Sequence, residues 1–455
     1  MECGTSTRPV FCLPLCGVET GLAAAGAFAY HAPLAMLAML YWLRQIPPFV
    51  WLAAGVLAVV LGTVAYLILL ERKVASWIQD RIGPNRVGPR GLLQPLADGL
   101  KMLVKEDYRP PFTDRYLFTL APALMMAVMI VALAVIPWGG VYESPAMRWR
   151  VQIADLDIGA VFVLAVLSLA VYGVVVAGWA SDNKYSFLGA LRATAQMVSY
   201  EVPLGLSLLT VLVMYGTLDL GVIVERQAHM WAGVIPAWNI FCQPAAFVLF
   251  LVCMHAEANR APFDLPEAEQ ELVGGYHTEY TSMRLGLLLL AEYAGMIVTS
   301  AVCAAVFLGG WHMPGLGGPD AARPAVTHSA WVVAARCAVY YAKVLVLIFV
   351  FMWVRWSLPR FRFDQLLSLA WRGLVPLSLA LLAGTAWVVY VFGAEHRAHM
   401  RIGGRMALAL LGMNIAVAAG ALAVGRMLPA RVPNRRLAVP GSRFAAAGMA
   451  TEAGR

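Results

Sequence analysis

The chain has 455 residues, 61% of them hydrophobic and only 13% charged, and carries a net charge of +8. A soluble domain typically has about 25% charged residues, so this composition argues against one, and repeated apolar runs of about 20 residues point to a bilayer. The positive balance needs no nucleic acid, because basic residues beside membrane spans normally mark the cytoplasmic side.

Residues 1–45 form an N-terminal extension. Within it, 20–43 is a weaker apolar stretch interrupted by His31 and Pro33, open to reading as an interfacial helix, an extra span or a signal-like segment. Apolar runs then predict nine spans, at 49–70, 116–138, 158–180, 197–217, 237–257, 285–309, 331–354, 373–393 and 405–425. The fold class is therefore an all-α integral membrane protein, a bundle of about nine transmembrane helices. Loops after odd-numbered spans, with the C-terminal tail, hold 22 Lys and Arg, against 9 in the opposite loops and the N-terminal segment. The odd-numbered loops and the C-terminus are expected to face the cytoplasm. Residues 394–455 add the ninth span and a basic tail rich in Arg, Ala, Gly and Pro, which reads as flexible.

The first loop, ERKVASWIQDRIGPNRVGPRGLLQPLADGLKMLVKEDYRPP at 71–111, carries eight Lys or Arg. Positive-inside charge alone does not explain its Gly/Pro-rich middle, and such a loop suits a docking partner or ligand. Over 91–105, Leu92, Leu93, Leu96, Leu100 and Leu103 share one helical face, with Gln94, Asp98, Lys101 and Lys105 opposite. This predicts a helix on the membrane surface, ended by Pro110 and Pro111.

The loop at 257–279 is acidic instead, with Glu257, Asp264, Glu267, Glu269, Glu271 and Glu279. Crowded carboxylates raise one another's pKa and can exchange protons near neutrality; a solvated acidic face, or ion pairs to the 71–111 loop, is the plainer reading. Arg260 reads as a charge partner of this cluster. Glu201 opens span four, Glu257 closes span five, and Glu292 lies about two turns into span six. Arg336 and Lys343 share one face of span seven and are candidate charge partners for these acids. Ionisable groups at depth are costly and tend to line polar paths; structural pairing or a proton-carrying line both fit.

The seven cysteines form no CxxC pair, and no Rossmann fingerprint or P-loop is present. Cys12 and Cys16 could pair in an oxidising compartment. No metal site is expected.

Four blocks in order carry a resemblance: 71–107, GWASDNKYSFLGALRATAQMVSYEVPL at 178–204, EANRAPFDLPEAEQELVGGYHTEYTSMR at 257–284 continuing to AEY at 291–293, and RWSLPRFRFDQLL at 355–367. Together they resemble the H-type membrane subunit of the proton-pumping NADH–quinone oxidoreductase (respiratory complex I), the bacterial counterpart of mitochondrial NADH dehydrogenase subunit 1. The resemblance covers about 45–393, which makes 46–393 an eight-helix family core. It implies a helix bundle where the redox arm meets the membrane arm, binding quinone (ubiquinone or menaquinone). No catalytic residue would act on this chain alone. NADH, FMN and iron–sulfur clusters would reside on partner subunits. Arg72, Trp77, Arg81, Arg86, Arg260, Phe263 and Asp264 would line the quinone tunnel. Glu267, Glu269 and Glu271 would begin a proton path continuing through Glu257, Glu201, Glu279 and Glu292. The implied partners are the other complex I subunits, quinone and lipid, in the bacterial inner membrane. Phe363 stands where Tyr is common and Asp182 where Asn is usual. The alternative is a homologous anchor subunit of a membrane-bound hydrogenase or related donor:quinone oxidoreductase.

Overall fold

A computed structural model describes residues 47–144, 147–231, 235–264, 273–316, 325–392 and 402–427. The 20–43 stretch, Cys12, Cys16, Glu267, Glu269, Glu271 and the tail beyond 427 lie outside the described residues. The chain divides into Met1–Trp51 and Leu52–Arg455, and the helix bundle, from residue 52 on, belongs to the second unit.

All nine expected apolar segments are helical. Among the described residues, eight helices are long and apolar enough to cross a membrane. The helices are α1 (Pro48–Ile78), the surface helix α2 (Gln94–Val104), α3 (Arg115–Leu133), α4 (Gly159–Ala180), α5 (Lys184–Tyr215) and the short α6 (Leu220–Gln227). They continue with α7 (Asn239–Cys242), α8 (Pro244–Glu257), α9 (Ser282–Phe307), α10 (Ala330–Ser357), α11 (Phe363–Ser368), α12 (Val375–Val391) and α13 (Gly404–Met427). A π-helical turn over Leu369–Leu374 joins α11 to α12, so the two run on as one span.

Helix α9 is the hub. Its apolar stretch is 83% buried, against 17% for α13. It packs on α3 and α10, while α5 packs on α4, α8 and α12. Alternate crossings place the segments 79–114, 181–183, 258–264, 273–281 and 358–362 at one end of the bundle, the loop end. The opposite end carries a small sheet in which β1 (Val141–Ser144) pairs antiparallel with β2 (Met147–Arg150) and parallel with β5 (Val326–Thr327). It also carries a two-residue pair, β3 (Met230–Trp231) with β4 (Ile235–Pro236).

Three boundaries differ from the sequence expectation, each for a physical reason. Helix α5 starts at Lys184, capped by Asn183 accepting the Tyr185 N–H at 2.9 Å. At about 1.5 Å per residue its 32 residues exceed a 30 Å hydrocarbon core. Glu201 therefore lies mid-helix instead of opening the span. The surface helix ends at Val104, short of Pro110, because Lys105 turns extended and the Ser282 hydroxyl bonds the carbonyls of Met102 (2.9 Å) and Lys105 (3.0 Å). The fifth span breaks at Gln243, leaving α8 only 14 residues long.

Candidate functional site

A cavity of about 1530 Å3 opens at the loop end between α1, the 81–86 turn, α2, α9 and the end of α10. Its apolar wall comes from two membrane-spanning helices: Leu61, Ala65 and Leu69 on α1, with Leu289 and Leu290 on α9. Its polar wall is Glu71, Arg72, Arg81, Arg86, Arg260 and Arg355.

The basic turn is held from several sides. Helix α1 does not stop where its apolar run ends. It continues through the basic block to Ile78, so Arg72 and Lys73 project from a rigid element. The Lys73 ammonium donates to the Arg90 carbonyl at 2.6 Å, and Arg72 pairs with Asp98 of α2 at 2.9 Å. Gly91 has φ 83°, and a Cβ there would sit 2.2 Å from the Pro84 carbonyl oxygen, so only glycine closes this turn. Leu92 and Leu93, just before α2, and Leu96, Leu100 and Leu103 on it are 48 to 63% exposed. All but Leu92 also line the cavity, so this apolar face adds to its wall. Arg284 pairs with Asp107 at 3.3 Å and docks the segment after α2 onto α9.

The charged centre of the cavity is Glu71, which no local sequence feature singles out. Arg260 reaches Glu71 at 3.4 Å, Arg355 pairs with it as well, and the Tyr293 hydroxyl donates to it at 2.7 Å. The Arg260 guanidinium lies 4.2 Å from the centre of the Tyr293 ring. One carboxylate thus faces two guanidinium groups. The sequence pattern reads Arg260 as a charge partner of the acidic loop; at this site it pairs with Glu71. Glu71 and Arg355 stand in the first and last of the four sequence blocks, but nothing local in either block shows that they meet.

Of the seven expected tunnel residues, Arg72, Arg81, Arg86 and Arg260 line the cavity. Trp77, Phe263 and Asp264 do not. Trp77 is 66% exposed. Phe263 is buried between the rings of Tyr200 (5.3 Å) and Phe361 (5.6 Å). Asp264 is buried and pairs with Arg360 at 2.9 Å. The buried Gln196 amide ties this turn to α5, donating to the carbonyls of Ala256 (2.8 Å) and Phe263 (2.7 Å).

The acids divide into groups. Glu201 lies midway along α5 and Glu257 ends α8, which packs on α5. Glu279 accepts from the Asn183 amide at 2.6 Å. Buried Glu292 accepts from the Tyr276 hydroxyl at 2.7 Å and lies 3.5 Å from His277 Nε2. A close backbone approach makes this last contact possible: a Cβ on Gly189 would fall 2.8 Å from the Cα of Gly275, itself at φ 59°. Glycine at both positions lets the 275–277 turn press onto α5 and aim Tyr276 and His277 at Glu292.

Arg336 and Lys343 are engaged elsewhere. Arg336 donates to the Ala325 carbonyl at 2.6 Å and the Leu316 carbonyl at 3.2 Å. Lys343 donates to the carbonyls of Leu308 (2.7 Å), Gly310 (2.8 Å) and His312 (2.7 Å), with the Trp238 ring 4.3 Å away. Leu308 is about 24 Å along the helix from Glu292, so Lys343 is not its partner. Arg336 and Lys343 instead satisfy carbonyls at the opposite end, between Leu308 and Leu316 and at Ala325.

Burial, and then the Arg260 charge, push His277 down to about 4. An unfolded histidine titrates near 6.5. Between those values the unfolded state binds a proton that the folded state refuses, so stability is full above about pH 6.5 and falls as pH drops toward 4. His277→Asn is expected to flatten that part of the profile, read as melting temperature of the purified complex between pH 7 and 4. An unchanged slope would remove His277 as its cause.

Among the described residues, no group of three or more His, Cys, Asp or Glu is placed to hold a metal ion.

The NADH dehydrogenase family model matches residues 52–386. The chain belongs to the NADH dehydrogenase family. It is 44% identical over 341 residues to an H-type subunit of NADH-quinone oxidoreductase from Cytophaga hutchinsonii, covering 75% of this chain and 96% of that one. It is 45% identical to the H-type subunit from Flavobacterium johnsoniae, covering 73% and 93% of the two chains. It is 46% identical to an H-type subunit from Geobacter metallireducens, again covering 73% and 93%. Every residue lining the cavity falls inside the family match, whereas α13 falls outside it.

Proposed function

We propose that this chain is the H-type membrane subunit of a proton-translocating NADH:quinone oxidoreductase, and that the 1530 Å3 cavity is the membrane end of its quinone site. The observation that carries this reading is the wall of that cavity. Apolar residues from α1 and α9 suit an isoprenoid tail, and the Glu71–Arg260–Arg355–Tyr293 cluster offers donors to a quinone headgroup. Reduction adds two electrons and two protons to a quinone. The electrons would come from an iron–sulfur cluster on a neighbouring redox-arm subunit, which with its partners would also carry NADH and FMN chemistry. The Arg260 and Arg355 guanidinium groups favour negative charge building on the headgroup.

In this reading Trp77, Phe263 and Asp264 border the tunnel from outside the cavity. The acids Glu267, Glu269, Glu271, Glu257, Glu201, Glu279 and Glu292 pass the charge shift toward the other membrane-arm subunits. Supporting it, Glu257 ends α8, which packs on α9, and Glu292 lies on α9 with Tyr276 and His277 in the turn before it. Residues 46–393 form the working core, with 1–45 and 394–455 as extensions; the family match over 52–386 supports that division. The membrane is the bacterial inner membrane, with the loop end cytoplasmic, as the Lys and Arg distribution supports.

Arg72→Ala is expected to leave the complex assembled and to raise KM for quinone about tenfold, because the Arg72–Asp98 bridge sets the cavity wall. Steady-state NADH:quinone kinetics on native membranes, with subunit composition by mass spectrometry, check this. Normal quinone kinetics with loss of assembly would make Arg72 a docking residue. Co-purification with nickel–iron hydrogenase subunits would overturn the quinone assignment altogether.

A further inference from the structure

The broken fifth span leaves backbone polar groups that a continuous helix would have satisfied. Helix α7 ends at Cys242, Gln243 adopts φ −130° and ψ 55°, and Pro244 has no N–H to continue the ladder. In hydrocarbon such groups must find partners within the protein.

Asn414 of α13 meets them. It is 1% exposed although it sits midway along a helix whose stretch is mostly uncovered. Its amide N–H groups reach the Gln243 side-chain oxygen at 2.6 Å, the Cys242 carbonyl at 3.4 Å and the Leu410 carbonyl of its own helix at 2.9 Å. Its oxygen accepts the Ala245 N–H at 3.3 Å. Gln243 in turn donates to the Thr385 hydroxyl of α12 at 2.9 Å. A second attachment holds the start of the helix: the Trp231 indole N–H donates to the Ile402 carbonyl at 2.9 Å. By contrast, Leu408, Ile415 and Leu422 on the outer face are 60 to 70% exposed.

We infer that the break at Gln243 is a docking site for an amide-bearing transmembrane helix, and that its occupant is this chain's own segment 404–427, keyed in by Asn414. The ninth helix, outside the family match, is thereby a fixed member of the bundle and not a peripheral appendage. It closes the root of α8, whose far end delivers Glu257 and Arg260.

Cys242 reports on the break directly, because its own carbonyl is one of the groups Asn414 covers and its side chain is buried. Native membranes carrying the full complex would be treated with N-ethylmaleimide, and Cys242 and Cys303 occupancy followed by peptide mass spectrometry. Cys303, buried in α9, is the control. Asn414→Leu and a chain ending at residue 392 are both expected to label at Cys242 about tenfold faster than the parent, from the loss of a buried hydrogen-bonding partner, with Cys303 unchanged. If the shortened chain does not accumulate, Asn414→Leu alone decides the matter. Unchanged labelling at Cys242, or a parallel rise at Cys303, would overturn the proposal.

Discussion

Glu71→Leu is expected to be the most damaging single change at the cavity. It leaves Arg260 and Arg355 facing each other without the carboxylate between them, and it removes the acceptor of the Tyr293 hydroxyl. Removing one partner of a buried ion pair typically costs about 3–5 kcal/mol. Arg260 is buried and cannot turn to water, while Arg355 is partly exposed and can, which places the expected loss near the lower end of that range. Glu71→Gln keeps an acceptor for Tyr293 and should lie between the parent and Leu. The check is the melting temperature of the purified complex alongside KM for quinone. A Glu71→Leu protein with parental stability and parental KM would show that the cluster neither supports the fold nor shapes the site.

Glu292→Gln should produce the largest functional loss, under the reading that the acids carry protons. The substitution keeps the shape and an acceptor for the Tyr276 hydroxyl, so the 275–277 turn should stay in place. What disappears is the ability to take and release a proton. His277 cannot supply it, since burial and the Arg260 charge hold it neutral above about pH 4. Proton uptake in proteoliposomes, measured as quenching of a pH-sensitive dye during NADH oxidation, is expected to fall at least about tenfold. Electron transfer to quinone in uncoupled membranes should fall less. Full pumping in the variant would reduce Glu292 to a structural carboxylate, buried because Tyr276 and His277 satisfy it.

The location of the site is more legible in the sequence than its contents. The basic turn at 81–91 and the leucine face of α2 stand out because charge, glycine, proline and helical periodicity are local properties. Arg72, Arg81, Arg86 and Arg260 are picked out by their blocks, and all four reach one cavity. Glu71 reads as the end of an apolar run. Its role depends on residues 189 and 284 positions away, and no window of sequence contains them. The assignment of Arg336 and Lys343 to the deep acids fails for a related reason. Shared helical spacing shows that two side chains point the same way, but not which carbonyls wait there.

The amino-acid sequence is enough to establish that this chain crosses a membrane many times, where most crossings fall to within a few turns, and which loops carry the basic and acidic groups. Lipid imposes that outcome locally, since each run of about 20 apolar residues must find hydrocarbon whatever its neighbours do. The folded bundle is needed to show that Glu71 pairs with both Arg260 and Arg355, that Glu201 sits mid-helix, and that Asn414 fills the break at Gln243. Helix rotation, depth and partner choice are set by how side chains and backbone groups from distant segments satisfy one another in the interior. Those pairings exist only once the helices have packed.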